Sequence, residues 1–289
     1  MLSGGKDSAY LSYMLKRKYH LSLLGFIIDI NYEYPETFEN AKSIANKLKL
    51  PYVIYRQDPE LMKKYYHFLF TEKTIVQPDF GQVCMFCGRF FLRTASEFAK
   101  AFKIPTVFAG HNPNQIMGLG ENYVIDTTDL MRQRFIKGLI SEQTRKASIA
   151  WKRRYGIPPL PLFPEALCPR EVELIFPFQY FPYRPTEMIK TVRKELGWTP
   201  MKHFSSAYLV SGCKLSKLWY YLALINHTNS YIDFELSEQV RSGELSRDEL
   251  KDFYNHMIID YKEIEKLATE LGIIDKLPLK MDKNRLIRK

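Results

Sequence analysis

Six consecutive residues, Ser3-Gly4-Gly5-Lys6-Asp7-Ser8, have the types and spacing of a phosphate cradle. Two glycines let the backbone turn sharply and put no Cβ in the way, so successive NH groups can point at one anion. Ser3 and Ser8 add hydroxyl donors and Lys6 adds a cation. The helical pattern from Ala9 to Lys18 adds the positive end of a helix dipole. Asp7 is the odd member, because a carboxylate beside phosphates needs a metal ion or a helix NH, and a magnesium nucleotide satisfies both needs. The spacing is neither that of the common loop with four residues between its glycines nor that of the dinucleotide fingerprint. The plain alternative is a glycine turn that caps a helix through Asp7 or Ser8.

A second set of reactive residues is the four cysteines, too few and too unevenly spaced for a disulfide framework. Cys84-Met85-Phe86-Cys87 is a CxxC at a loop-to-helix junction, where a helix amino end lowers thiol pKa and favours thiolates. Two thiolates at that spacing grip one metal ion or one edge of a cluster, and a redox pair is the alternative. A closed zinc site needs four ligands, so a third cysteine must come from afar. Cys213, after Gly212 and before a helical pattern, is favoured over its rival Cys168. Three cysteines suit a [4Fe-4S] cluster with one open iron, whereas Zn2+ would need His111, His203 or an acidic residue as well.

The elements that must position these groups are legible in outline. Residues 23–29 form a continuous apolar run ending on Asp29, as expected of a strand buried on both faces. Helical spacing follows over 36–48, a strand over 51–55, a helix over 59–70, a helix over 86–102 and a strand over 106–110 that ends at His111-Asn112. This alternation predicts an α/β fold with a doubly wound, Rossmann-like parallel sheet. Ligands in such sheets sit at the carboxyl ends of strands, which places Asp29, Asn31, Gly110 and His111 at one mouth with the cradle. From Trp151 prolines break the pattern, and aromatic residues crowd 176–183 before helices expected at 185–196, 216–227 and 246–271. A nucleotide-binding domain over 1–150 and a smaller, mainly helical region over 151–289 are the expected division.

Composition narrows the class. The 289 residues suffice for a sizeable core, with 46% hydrophobic and 26% charged residues. No apolar run reaches the ~18 residues of a membrane span and no basic-then-apolar leader opens the chain, so the expectation is a cytoplasmic protein with no membrane partner. Lys and Arg together exceed Asp and Glu by ten, which favours acidic partners such as ATP, nucleotide sugars or RNA.

SGGKDS resembles the signature of the PP-loop ATP pyrophosphatase superfamily, of the same broad fold type as the HUP nucleotide-binding domains. The resemblance implies cleavage of ATP between its α and β phosphates, adenylation of a carbonyl-type oxygen, and displacement of AMP by nitrogen or sulfur. Lys6 and Asp7 would then serve catalysis, with Mg2+. Residues 3–8, Asp29, Gly110 and His111 would line the nucleotide site, and Cys84, Cys87 and Cys213 would bind metal. In that family a buried strand precedes the loop, whereas only Met1 and Leu2 precede it here, so a cradle lacking its supporting strand is expected.

Two subfamilies are similar. A CxxC, a strand ending Gly110-His111-Asn112 and a distant cysteine resemble the cluster-bearing tRNA thiolation enzymes, except that Pro113-Asn114-Gln115 stands where those enzymes carry aspartates. Gly118 to Asn122, Glu195-Leu196-Gly197-Trp198, Ser211-Gly212-Cys213 and 240–250 are similar to N-acetyl sugar amidotransferases of the ExsB-like group, which convert an acetamido to an acetamidino group. In 240–250 a capping box, Ser246 with Glu249, accounts for part of the pattern on its own. The resemblance therefore implies sugar amidination first, with a nucleotide or nucleotide-sugar substrate and ammonia from a separate glutaminase subunit or solution. The alternatives are tRNA thiolation and an ATP-binding subunit without catalysis.

Overall fold

A computed structural model describes residues 1–76, 82–120, 130–201, 212–256 and 260–276. The chain is mixed α/β and mainly helical. It runs through α1 (Lys6–Tyr13), a π-helical turn (Met14–Lys18), β1 (Gly25–Asp29), α2 (Pro35–Leu48), β2 (Tyr52–Arg56), α3 (Pro59–Thr71), α4 (Lys73–Val76) and α5 (Gln82–Ala101). There follow β3 (Thr106–Phe108), α6 (Pro113–Gly118), α7 (Leu130–Tyr155), β4 (Glu173–Ile175) and α8 (Pro185–Leu196). The chain continues with α9 (Lys214–Ile225), α10 (Tyr231–Arg241), α11 (Arg247–His256) and α12 (Tyr261–Glu270).

Local chemistry sets the boundaries. Proline occupies the first helical position of α2, α3 and α8, where its missing NH costs nothing. Asp58 caps α3 by accepting from Leu61 N at 2.7 Å. Lys49 and Gly197, both left-handed, end α2 and α8. The inner face of α2 is Ala41, Ile44, Ala45 and Leu48, one stripe at helical spacing.

The described strands form two parallel pairs rather than one continuous sheet. β1 pairs with β2 in the register Gly25 to Tyr52 through Asp29 to Arg56, and β3 pairs with β4 from Thr106 to Glu173. Residues 1 and 2 touch both pairs: Leu2 N donates to Phe26 O at 2.8 Å, and the Met1 amine to Phe108 O at 2.7 Å. The cradle is thus anchored to both strand pairs.

Several elements depart from the sequence expectations, among them α4, α6 and α10, for which no helix was expected. β4 lies in the proline-broken stretch after Trp151, because a three-residue strand is too short to show a period. α7 (Leu130–Tyr155) stands where no element was expected and buries Ile140, Ala147 and Trp151 against the largest core cluster. The helix expected over 246–271 is two, α11 and α12, the second capped by Asp260 through Lys262 N and Glu263 N. The Ser246–Glu249 capping box is present, with Glu249 N to Ser246 Oγ at 3.1 Å and Ser246 N to Glu249 Oε2 at 2.8 Å. Among the described residues no helix is long and apolar enough to cross a membrane.

Two adjacent glycines carry different burdens. Gly4 has φ +73°, and a Cβ there would collide with the Thr37 carbonyl oxygen. Gly5 has φ −79° and its nearest obstacle is Ser3 Oγ at 3.6 Å. Gly4→Ala is therefore expected to lose on the order of 3–5 kcal/mol, the left-handed penalty plus a backbone clash that cannot relax. Gly5→Ala should change stability by no more than about 1 kcal/mol. Urea melts of both variants test the contrast, and equal losses would refute it.

Candidate functional site

The cradle is held from several directions. Gly5 is the N-cap of α1 and provides no side-chain cap, so the first-turn amides of α1 are left to another acceptor. Ser8 Oγ donates to Gly5 O at 3.0 Å and accepts from Ser3 N and Ser3 Oγ, each at 3.2 Å. Trp198 Nε1, from the turn after α8, donates to Gly4 O at 3.0 Å. Gly110 packs against the first turn of α1, where a Cβ would meet the Asp7 carbonyl group at 3.3 Å. The cradle and the end of β3 therefore meet, as the strand-end argument requires.

Lys6 is buried and its ammonium is compensated. Nζ lies 3.0 Å from Asp7 Oδ2 and 3.1 Å from Tyr183 OH, and that hydroxyl donates to Asp7 Oδ1 at 2.9 Å. Burial works to lower the Lys6 pKa, but Asp7, Tyr183 and the more distant Glu235 outweigh it and hold the amine charged. Glu235, on α10, accepts from Asn112 Nδ2 at 3.0 Å and from Gln115 Nε2 at 3.4 Å. Burial, with Asp7 adding, raises its pKa against the pull of Lys6 and Asn112. Asn112 and Gln115 also cap each other's backbone NH groups at the start of α6, at 3.0 and 2.9 Å. The chain thus uses its amides at 112–115 to hold a carboxylate.

His111 stands edge-on to Phe176, with ring centroids 5.7 Å apart, and its Nδ1 has no hydrogen-bond partner among the described residues. Burial pushes its pKa down to about 4, although Asp7 pulls the other way. Asp29, the remaining residue expected at the nucleotide site, ends β1 and is buried. Its carboxylate pairs with Arg56 Nε at 2.6 Å and accepts from Asn31 N at 2.8 Å.

The CxxC lies in the first turns of α5, and Cys213 enters the same corner through an antiparallel bridge with Glu33. Cys84, Cys87, Cys213 and Glu33 are close enough to perturb one another electrostatically, and Tyr66 OH lies 3.0 Å from Cys87 Sγ. Cys168 sits elsewhere, next to Leu167, which packs with Leu92, Ala109 and Phe176. The expectation of lowered thiol pKa values is corrected. Burial, and for Cys87 and Cys213 the neighbouring thiols and Glu33, pushes the thiols up. Cys84 is pushed up by burial alone to about 12, a shift that its exposed position by surface area tempers. Glu33 is raised to about 7 by burial and then by Asp29, against the Ile30 amide bonds. The donors are soft and gathered, as zinc or a cluster requires, but among the described residues no three His, Cys, Asp or Glu close on an ion. His203, Ser211 and the Glu121-Asn122 pair lie outside the described residues.

Sequence reasoning missed Tyr183, Trp198 as a cradle donor, and Glu235. Tyr183 sat among unranked aromatic residues, and Glu235 lies on a helix that went unrecognised. No family model matches the chain, and no curated protein is significantly similar to it in sequence.

Two consequences are measurable. Tyr183→Phe removes the hydroxyl that ties Lys6 to Asp7 and is expected to cost about 1.5–3 kcal/mol in urea melts, while a loss within error would show the bridge to be incidental. His111 binds its proton less readily folded than unfolded, so its contribution to stability is full above the unfolded pKa near 6.5 and is lost as pH falls to about 4. The wild type should lose at most about 3 kcal/mol more than His111→Asn between pH 7 and pH 4. Parallel stability curves would exclude a role for this imidazole.

Proposed function

We propose that the chain is an ATP-dependent enzyme of the PP-loop type that adenylates a carbonyl-type oxygen, releases pyrophosphate, and replaces that oxygen with nitrogen on an N-acetyl sugar. The observation that carries this reading is the convergence of the Ser3–Ser8 cradle, its compensated Lys6 and the Gly110-His111 strand end on one site. The finer fold belongs with it. Residues 1 and 2 hydrogen-bond to β1 on one side and β3 on the other, which supports the order β2-β1-(1–2)-β3-β4 of a doubly wound sheet.

In this reading the uncapped first-turn amides of α1, with Ser3 and Ser8, receive phosphate oxygens, and Lys6 neutralises the charge that develops as pyrophosphate departs. Asp7 and Glu235 supply oxygen donors of the kind Mg2+ takes, and the ion, when bound, shields phosphate charge. Tyr183 keeps Lys6 and Asp7 in register with the cradle. His111, neutral at physiological pH, provides an uncharged nitrogen beside Asp7. Ammonia from solution or from a separate glutaminase subunit would then displace AMP.

The gathering of Cys84, Cys87 and Cys213 favours a second reading, in which sulfur is the incoming atom and tRNA the acceptor. One assay separates the two. Labelled ATP is incubated with the anaerobically purified protein and either a nucleotide-sugar extract plus ammonium or bulk tRNA, and AMP and pyrophosphate are counted. The sugar arm alone is expected to respond, and Lys6→Ala should slow AMP release by on the order of 100-fold or more. Normal turnover by Lys6→Ala would defeat the cradle assignment, and a response confined to tRNA would replace nitrogen with sulfur.

A further inference from the structure

The positive charge of this chain is not spread evenly. α7 carries Arg132, Arg134, Lys137, Arg145, Lys146, Lys152, Arg153 and Arg154 against the single carboxylate of Glu142, seven of the chain's ten excess positive charges. Glu142 pairs with Arg145 at 2.8 Å and Lys146 at 3.4 Å, while Arg134, Lys137, Lys152 and Arg153 have no ion-pair partner among the described residues. The inner face of the helix is committed to the core through Ile140, Ala147 and Trp151.

The outer face has a second property. Phe135, Leu139 and Ile149, three large apolar side chains, are 71%, 47% and 39% exposed. They fall in the series Phe135, Leu139, Glu142, Lys146, Ile149, Arg153, at alternating steps of four and three, the period of a coiled-coil seam. The series extends over about 27 Å. Arg145 and Lys152 occupy the positions beside the seam from which charges pair with a facing helix.

Charge and shape select among occupants. A second copy of the same face is opposed by like charge along its whole length. A bilayer surface calls for a broad apolar face, whereas this one is narrow, interrupted by Glu142, and backed by a helix side already buried. A nucleic acid would use the cations but has no use for aliphatic Leu139 and Ile149, since its bases stack on planar groups. A narrow line of apolar side chains set among charges suits a partner helix, which supplies both apolar contact and paired charge.

We infer that the outer face of α7 docks an acidic amphipathic helix of a partner protein, whose apolar positions pack on Phe135, Leu139 and Ile149 and whose carboxylates meet Arg145, Lys152 and Arg153. The seam selects the partner by register, and the cations speed its arrival and reject basic helices.

The test is fluorescence anisotropy of the full chain with a labelled helical peptide bearing leucines on a heptad seam and flanking glutamates. An isomer of identical composition with its leucines moved off the seam is compared, along with a uridine-rich RNA and phosphatidylglycerol vesicles. The seam peptide is expected to bind at least about tenfold tighter than its isomer and to weaken about tenfold or more between 50 and 500 mM salt. Phe135→Ser/Leu139→Ser/Ile149→Ser and Arg145→Glu/Lys152→Glu/Arg153→Glu change exposed side chains only, and circular dichroism verifies that both variants fold. Each should cost at least about tenfold in affinity for the seam peptide. Equal binding of the two peptides, no loss in the apolar variant, or tighter capture of RNA or vesicles would each overturn the assignment.

Discussion

The structure turns on the close approach of Gly4 to Thr37. A backbone at positive φ runs against a helix carbonyl with no room for a Cβ, so the sharp turn of the cradle is fixed by α2 rather than by its own sequence. The same threonine faces a second glycine: its Oγ1 donates to Gly212 O at 3.2 Å, and a Cβ on Gly212 would strike it. Gly212 O also accepts from Tyr34 N at 2.8 Å, and Cys213 follows directly. One helix turn is thereby wedged between the Ser3–Ser8 loop and the cysteine corner. The two candidate sites share a wall, and neither moves far without displacing Thr37.

Charge sets the second tier of the arrangement. A buried ammonium costs several kcal/mol unless it is paired and hydrogen-bonded. Lys6 finds its partners in three separate places: Asp7 beside it, Tyr183 before α8, and Glu235 on α10. The distant parts of the chain are therefore folded around one cation as well as around apolar clusters. Under the proposed function an entering phosphate would compete with Asp7 and Glu235 for that cation. Lys6 would then be the place where the nucleotide and the protein's own carboxylates exchange, and a divalent ion on the displaced oxygens would lower the cost.

What could be read beforehand was what depends on neighbours in sequence. Gly4 and Gly5, the helix after them (expected from Ala9, observed from Lys6), and the helices opening at Pro59 and Pro185 rest on local signals. The strands β1 and β2, observed over Gly25–Asp29 and Tyr52–Arg56, were visible as short apolar runs over 23–29 and 51–55. Tyr183, Trp198 and Glu235 were not legible, because each does its work across more than 170 residues of chain with nothing in its own neighbourhood to mark it. α7 was missed for a related reason. Its apolar residues point both inward and outward, so no single amphipathic stripe stands out. The depressed thiol pKa expected from the helix end was a local rule overruled by burial and by the neighbouring thiols and Glu33, which only the fold supplies.

The two concentrations of charge are arranged in opposite ways. At the cradle the cation is inside, matched by carboxylates and a phenol, and little net charge is left to act at a distance. On α7 the basic residues outnumber the single acidic one eight to one, and those from Arg134 onward are exposed, so their field extends into solvent over about a Debye length, ~10 Å at moderate salt. Compensated charge of the first kind holds geometry, and its loss is felt as strain or instability. Uncompensated charge of the second kind contributes little to the fold and slightly opposes it through self-repulsion. Its retention beside exposed apolar side chains needs an external reason, and a complementary surface supplies one.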